Sequence, residues 1–337
     1  MGHGMQKKIY LTGIKPTGTP HFGNYLGAIR PTIQASQNLQ WDHYYFIADY
    51  HAINALYDAN SVRQYVYEVA ATWLAFGLNP DQVTLYRQRD VPELFELQWI
   101  LTCCTAKGLL NRAHAYKAQR DLNLEKHHDP DHGINAGLYA YPVLMAADIL
   151  LFQAHKVPVG KDQFQHLEMA RDIAQAFNTR YGVSLFTLPE PEAESGLVLP
   201  GLDGRKMSKS YQNTIPLFES PKKLRTLINR FVTDSSRPED PKDAETAPIF
   251  HFYRAFATET QTASLRERLL QGGMGWGEVK AELFTLVDAA LAEPRARYAE
   301  LIENPAKIDA ILTQGAEKAR PKAQAFLHEV RQAIGVI

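Results

Sequence analysis

Lys8-Ile9-Tyr10-Leu11-Thr12-Gly13-Ile14-Lys15-Pro16-Thr17-Gly18-Thr19-Pro20-His21-Phe22-Gly23-Asn24-Tyr25 is the stretch on which the fold turns. Residues 8–14 are rich in β-branched and aromatic side chains and read as a strand. A Gly/Pro/Thr turn follows, and residues 24–37 carry helical spacing through Leu26, Ile29, Ile33 and Gln37. A phosphate placed at that turn meets the free N–H groups and positive dipole end of the helix. His21 sits beside it, and Gly23 leaves room for close approach. Gly13 to Gly18 has P-loop glycine spacing, but Thr19-Pro20 stands where Lys-Ser/Thr is required, and no Gly-x-Gly-x-x-Gly follows the strand. Taken alone, the turn also fits an ordinary strand-to-helix connection.

Working outward, strand and helix patterns alternate. Residues 44–48 and 83–86 read as strands, and 61–76 and 93–104 as helices, an order that predicts a parallel sheet covered on both faces. Ligands then belong at the carboxyl ends of the strands. Residues 107–132 break the pattern as a basic, polar insertion, and helical character resumes over 139–154 and 162–178. Residues 197–199 predict a short strand delivering the chain to Asp203-Gly204-Arg205-Lys206-Met207-Ser208-Lys209-Ser210. Two flexible cations among small hydroxyls suit a transient grip on polyphosphate, although the loop alone equally fits solvated surface. Beyond Pro216 the chain reads as helical. Val279, Leu283, Leu286, Val287 and Leu291 form one apolar stripe, and Ile308, Ile311, Leu312 and Ala319 another, with residues 235–247 an irregular connection.

Composition narrows the class. With 337 residues, 45% hydrophobic and 22% charged, the chain fits about two soluble globular domains. A net charge of −1 excludes indiscriminate coating of nucleic acid, so any RNA contact must use local patches. Candidates are Arg112, Lys117, Arg120 and Lys126, then Lys222, Lys223, Arg225 and Arg230, then Lys318, Arg320 and Lys322, each of which also reads as a solvated helix face. No apolar run reaches membrane-spanning length and no signal-peptide pattern is present, which predicts a cytoplasmic protein; Met1–Gly4, ahead of Met5, is set aside from the fold. Adjacent Cys103 and Cys104 fit reduced thiols better than a disulfide or metal site. His127, His128 and His132, with Asp129 and Asp131, match no standard zinc spacing, so no resident metal is expected.

Four segments together carry a resemblance. His21-Phe22-Gly23-Asn24 resembles the HIGH signature of class I aminoacyl-tRNA synthetases, and Lys206-Met207-Ser208-Lys209-Ser210 repeats their KMSKS signature. Tyr141-Pro142-Val143-Leu144-Met145-Ala146-Ala147-Asp148-Ile149-Leu150, and residues 157–163 continuing into Gln165-His166-Leu167-Glu168, resemble the bacterial tryptophanyl members. The resemblance runs from about residue 9 to the C-terminal helices. It implies an α/β protein: a Rossmann-like doubly wound parallel-sheet catalytic domain at 5–215, plus an all-helical, anticodon-binding C-terminal domain at 216–337. An insertion at about 105–155 is implied on the dimer-interface and acceptor-stem side. The implied reaction activates tryptophan with ATP and passes it to the 3′ end of tRNA(Trp), in a cytoplasmic homodimer, with Mg²⁺ held mainly by the phosphates.

The same resemblance assigns roles to residues. His21, Asn24, Lys206 and Lys209 are implied as catalytic. ATP is implied to meet Lys15, Gly23, Asn24, Gly160, Lys161, Asp162 and Val198, together with Lys206, Met207, Ser208, Lys209 and Ser210. Tryptophan is implied to meet Asp148, Tyr141, Met145, Gln163 and His51. Asp148 stands among apolar neighbours, so its carboxylate must be exposed, capped or paired, and an indole N–H is one donor that satisfies it. Two positions depart from the family pattern: Lys15 replaces a frequent glutamine and Lys161 a frequent acid. Leu11 replaces a common aromatic. The nearest rival is the tyrosine enzyme, which shares both phosphate motifs; a nucleotidylyltransferase and a silent tRNA-binding module are the others.

Overall fold

The computed structural model describes residues 7–160, 163–193 and 196–337. Lys161 and Asp162 lie outside the described residues. Five parallel strands, β1 (Lys8–Ile14), β2 (Trp41–Ile47), β3 (Val83–Arg87), β4 (Lys156–Val159) and β5 (Glu190–Ala193), form one sheet in the order β3-β2-β1-β4-β5. Alternation along β1 and β2 explains why both faces are buried. Ile9, Leu11, Tyr44 and Phe46 pack into the core on one side, and Tyr10, Tyr45 and Ile47 into a separate core on the other.

The helix after β1 is present, with a difference. It runs as α1 (Phe22–Asn24), a π-helical turn (Tyr25–Ile29) and α2 (Arg30–Ser36). Pro31 has no N–H to donate to the Gly27 carbonyl, which is where the regular ladder gives way. Next come α3 (Asp49–Ala52), α4 (Ala59–Ala75) and α5 (Glu93–Cys104). The polar insertion folds as α6 (Lys107–Leu110) and α7 (His114–Glu125), followed by α8 (Ala136–Leu151) and α9 (Phe164–Tyr181).

The strand expected at 197–199 is not formed. Leu197 N–H donates to the Leu26 carbonyl at 3.2 Å and the Leu199 carbonyl accepts from Met207 at 2.8 Å, so these groups serve a helix and a loop instead of a ladder. The fifth strand is Glu-Pro-Glu-Ala, a sequence with little strand character that only a sheet edge tolerates.

The C-terminal part is α10 (Pro221–Asn229), α11 (Pro248–Arg254), α12 (Glu259–Gln271), α13 (Trp276–Glu303) and α14 (Pro305–Ile334). Val279, Leu283, Val287 and Leu291 are buried one turn apart on α13, in a core that also contains Phe22 and Leu26 from the first helix. α14 turns back to the sheet: Ile308 and Leu312 join the core under β3, and Ala316, Ala319, Ala323 and Phe326 join the core under α5. Arg320 pairs with Glu93 at 2.9 Å and Arg331 with Glu96 at 2.5 Å, both acids on α5.

The contact is backbone-close at Gly315, where an added Cβ would lie 1.7 Å from the Leu85 carbonyl oxygen. Gly315→Ala is therefore expected to destabilise the protein by more than about 2 kcal/mol, since neither backbone can give way cheaply. Urea unfolding measures this. A loss below about 0.5 kcal/mol would mean that α14 is not seated on β3.

Candidate active site

β1 and β4 are neighbours from which successive connections run in opposite directions, so a crevice opens at their carboxyl ends. The turn after β1 and the helix it starts form one wall. His21 is buried, and its backbone N–H donates to Asn24 Oδ1 at 3.1 Å, which leaves the Asn24 NH₂ as that side chain's donor. The segment after the KMSKS loop locks this turn in place: Phe22 N–H donates to Ile215 O at 3.1 Å and Leu217 N–H to Pro20 O at 3.2 Å.

The loop itself touches the turn. Gly23 N–H donates to Met207 Sδ at 3.3 Å, and Met207 is buried. Lys209 lies over Gly18, where an added Cβ would sit 2.5 Å from Nζ. Much of the Lys209 side chain is open to solvent, but its ammonium end is crowded there, and that desolvation lowers its pKa. Asn213, buried and unforeseen in the sequence, organises the loop. Its Oδ1 accepts from Ser208 N–H at 2.8 Å, and its Nδ2 donates to Asp203 Oδ1 at 2.7 Å and to the Lys206 carbonyl at 3.1 Å. The role becomes visible only once the loop folds back on itself; in sequence Asn213 is one more polar residue after Ser210.

Burial, reinforced by the Lys209 charge, lowers the His21 pKa to about 4, so the ring is neutral at working pH. Its native value lies below the ordinary 6.5, so the stability linked to it is complete above pH 6.5 and is lost as pH falls from 6.5 towards about 4. The ratio of wild-type to His21→Gln exchange rates is expected to stay flat between about pH 6 and about pH 8. A tenfold fall in that ratio across the same range would show that imidazolium is the working form.

Between the strands and α8 lies a cavity of 410 Å³, within the range of small-ligand sites. Its lining includes Lys15, Thr12 and Gly160 together with Tyr141, Gln163, Met145, His51 and Asp148. Asp148 is 3% exposed and paired: Oδ2 lies 2.8 Å from His51 Nε2, and Gln88 Nε2 donates to Oδ1 at 2.9 Å and to Oδ2 at 3.0 Å. Burial raises its carboxyl pKa, and the hydrogen bonds from His51 and Gln88 oppose that rise. Tyr141 Oη lies 2.6 Å from His166 Nε2, and His166 Nδ1 lies 2.9 Å from Gln163 Oε1, so a buried histidine joins the two polar groups of the wall. Gln88 and His166 hydrogen-bond to lining residues from behind the wall, and the sequence assigned neither a role in the site.

Lys206 and Val198 stand elsewhere. They line a second hollow of 460 Å³ with Pro200, Gly204, His251 and Arg254, between the loop and α11. Val198 is 72% exposed there, and Ser210 is also exposed. The turn, the loop and the cavity together can hold a small acid with its carboxylate toward a triphosphate.

The chain matches the family of tRNA synthetases class I (W and Y) over residues 5–292. It is similar to the tryptophan–tRNA ligase of Neisseria meningitidis, 52% identical over 334 residues, covering 98% of this chain and 99% of that protein. The tryptophan–tRNA ligase of Pseudomonas syringae is 56% identical over 329 residues, which is 97% of this chain and 73% of that longer protein. A solved structure of tryptophanyl-tRNA synthetase from Campylobacter jejuni, complexed with ADP and tryptophan, superposes with a TM-score of 0.88 at 44% identity, covering 97% of this chain and 99% of that one. Fold, paired signatures and full-length similarity agree, and the chain belongs to the class I tRNA synthetases, in the branch of the tryptophan–tRNA ligases.

Proposed function

We propose that the 410 Å³ cavity binds tryptophan with its indole N–H on Asp148 and its carboxylate toward Lys15, and that the HIGH turn and KMSKS loop close on ATP beside it. The observation that carries this reading is a buried, hydrogen-bonded carboxylate in the wall of a cavity that Lys15 and Gly160 also line. Tyr141 and Gln163 take the substrate ammonium, while Met145 and His51 shape the indole slot. A carboxylate oxygen of tryptophan attacks the α-phosphorus in line. The new bond is carboxyl O–P, the bond broken is the one to pyrophosphate, and the product is tryptophanyl-adenylate.

Negative charge grows on the phosphate oxygens and on the departing pyrophosphate. His21, as a neutral donor, and the Asn24 NH₂ stabilise the former; Lys206 and Lys209 stabilise the latter. Gly23 and Gly160 admit the nucleotide closely, with the backbone of Val198 on its adenosine side. Met207, Ser208 and Ser210 carry the loop against it. ATP arrives with Mg²⁺ on its own phosphates. Lys209 lies over Gly18 and His21 beside Gly23, and among the described residues no group of three or more His, Cys, Asp or Glu could hold a metal ion.

The tRNA 3′-terminal ribose hydroxyl then attacks the adenylate carbonyl and AMP departs. We assign the catalytic work to residues 5–215 and anticodon contact to 216–337, in a cytoplasmic homodimer whose insertion at about 105–155 lies at the dimer and acceptor-stem side. No helix among the described residues is long and apolar enough to cross a membrane.

ATP–pyrophosphate exchange with each amino acid in turn tests the reading. Tryptophan alone is expected to support exchange; equal support by tyrosine would overturn it. Lys15 adds a cation to the cavity lining, so ATP binding should weaken with salt. Lys15→Gln is expected to flatten the salt dependence of the ATP KM, and an unchanged dependence would remove Lys15 from contact with ATP.

A further inference from the structure

Gln88 is 1% exposed and sits at the first position of the turn Gln88–Asp90, directly after β3. Its amide is fixed from both ends. Oε1 accepts the Tyr50 backbone N–H at 3.0 Å, and that group can only donate. The NH₂ must therefore face Asp148, where Nε2 straddles both carboxylate oxygens at 2.9 and 3.0 Å. The turn that carries it is anchored as well: Arg89 N–H donates to Asp49 Oδ1 at 3.2 Å, and Arg87 pairs with Asp90 at 2.5 Å and with Asp309 of α14 at 2.6 Å.

Counting lone pairs gives the consequence. An ionised carboxylate offers about four acceptor sites. Oδ2 is occupied by His51 and Gln88, and Oδ1 by Gln88 once. The remaining site is on Oδ1. A carboxylate held by His51 alone could rotate about its Cβ–Cγ bond and offer that site in several directions. The amide that bridges both oxygens stops the rotation.

We infer that Gln88 is a positioning residue for tryptophan specificity: it locks the Asp148 carboxylate so that one Oδ1 lone pair is presented to the indole N–H. This rests on the reading of Asp148 as the indole acceptor. Gln88 touches the carboxylate and not the substrate, so its loss acts on substrates that carry a ring N–H and spares those that do not.

The test compares two substrates in pyrophosphate exchange: tryptophan, and the analogue with sulfur in place of the indole N–H. Gln88→Leu is expected to lower kcat/KM for tryptophan by between about tenfold and about 100-fold, mostly in KM, and to leave the sulfur analogue within about threefold. Gln88→Glu sets two buried carboxyls against each other. They must share a proton, so tryptophan kcat/KM in this variant is expected to recover as pH falls, while the wild type shows no such recovery. If Gln88→Leu fails to fold, the Gln88→Glu pH profile decides, and a profile parallel to wild type overturns the inference. An equal loss on both substrates in Gln88→Leu also overturns it, because that is what a purely structural residue does. Asp148→Asn on the same pair separates the two layers. If it keeps the wild-type preference, the indole reading falls and the Gln88 inference with it. If it abolishes the preference while Gln88→Leu does not, only the Gln88 inference falls.

Discussion

Asp148→Asn is expected to lower kcat/KM for tryptophan in pyrophosphate exchange by about 10³-fold or more, and to erode the rejection of phenylalanine and tyrosine. The substitution keeps the shape of the side chain and changes what it can accept. Asp148 meets the Gln88 amide donor and the His51 ring, and an indole N–H would be a third partner. Asparagine has one oxygen to offer where the carboxylate has two, and its NH₂ turned toward the Gln88 amide or the indole sets two donors against each other. A buried donor left unpaired in this way costs about 1–3 kcal/mol. The loss should appear in KM for tryptophan more than in kcat, because in this reading Asp148 meets the indole ring and not the reacting carboxylate. An unchanged tryptophan KM would remove Asp148 from the indole role.

Lys209→Ala is expected to cut the exchange kcat by about 10²- to 10³-fold while leaving tryptophan binding within about twofold. The ammonium of Lys209 is crowded over Gly18 at the turn that receives the phosphates, and its charge already acts on His21. A partly desolvated cation stabilises developing phosphate charge more strongly than one in water, and it does so most in the transition state. Removing it predicts a companion effect: the His21 pKa should rise from about 4, so that variant should lose activity at a higher pH on the acid side. Lys209→Arg should recover only part of the rate, because a planar fork replaces a point charge in a notch sized by glycine. A kcat for Lys209→Ala within about threefold of wild type would return this loop to the status of solvated surface.

Much of the fold could be read from local pattern, for identifiable reasons. β1, β2 and β3 are short runs whose alternate residues enter two different cores, and α5 and α13 carry apolar stripes that the structure buries. The HIGH turn was legible because glycine and proline force a break between strand and helix, and the KMSKS loop because its composition is unusual. Part of what escaped depends on distance along the chain. Gln88 meets Asp148 across 60 residues of sequence, and nothing near Gln88 hints at a buried amide. Asn213 earns its place only after the loop folds back on residues 203–208. β5 was missed because Glu-Pro-Glu-Ala becomes a strand through β4 and not through its own propensity. The sequence required Asp148 to be exposed, capped or paired; the fold chose pairing. The return of α14 to β3 was likewise invisible locally, since Gly315 reads as a weak point in a helix until Leu85 is beside it.

The most direct test of the central claim is a crystal structure of this chain with tryptophan and a non-hydrolysable ATP analogue. The measured quantity is the distance from the indole nitrogen to the nearer Asp148 oxygen. The expected distance is about 2.7–3.2 Å, to Oδ1, with the triphosphate between the His21–Asn24 turn and Lys209. An indole nitrogen beyond hydrogen-bond reach of both oxygens, with the ring seated elsewhere in the cavity, would contradict it.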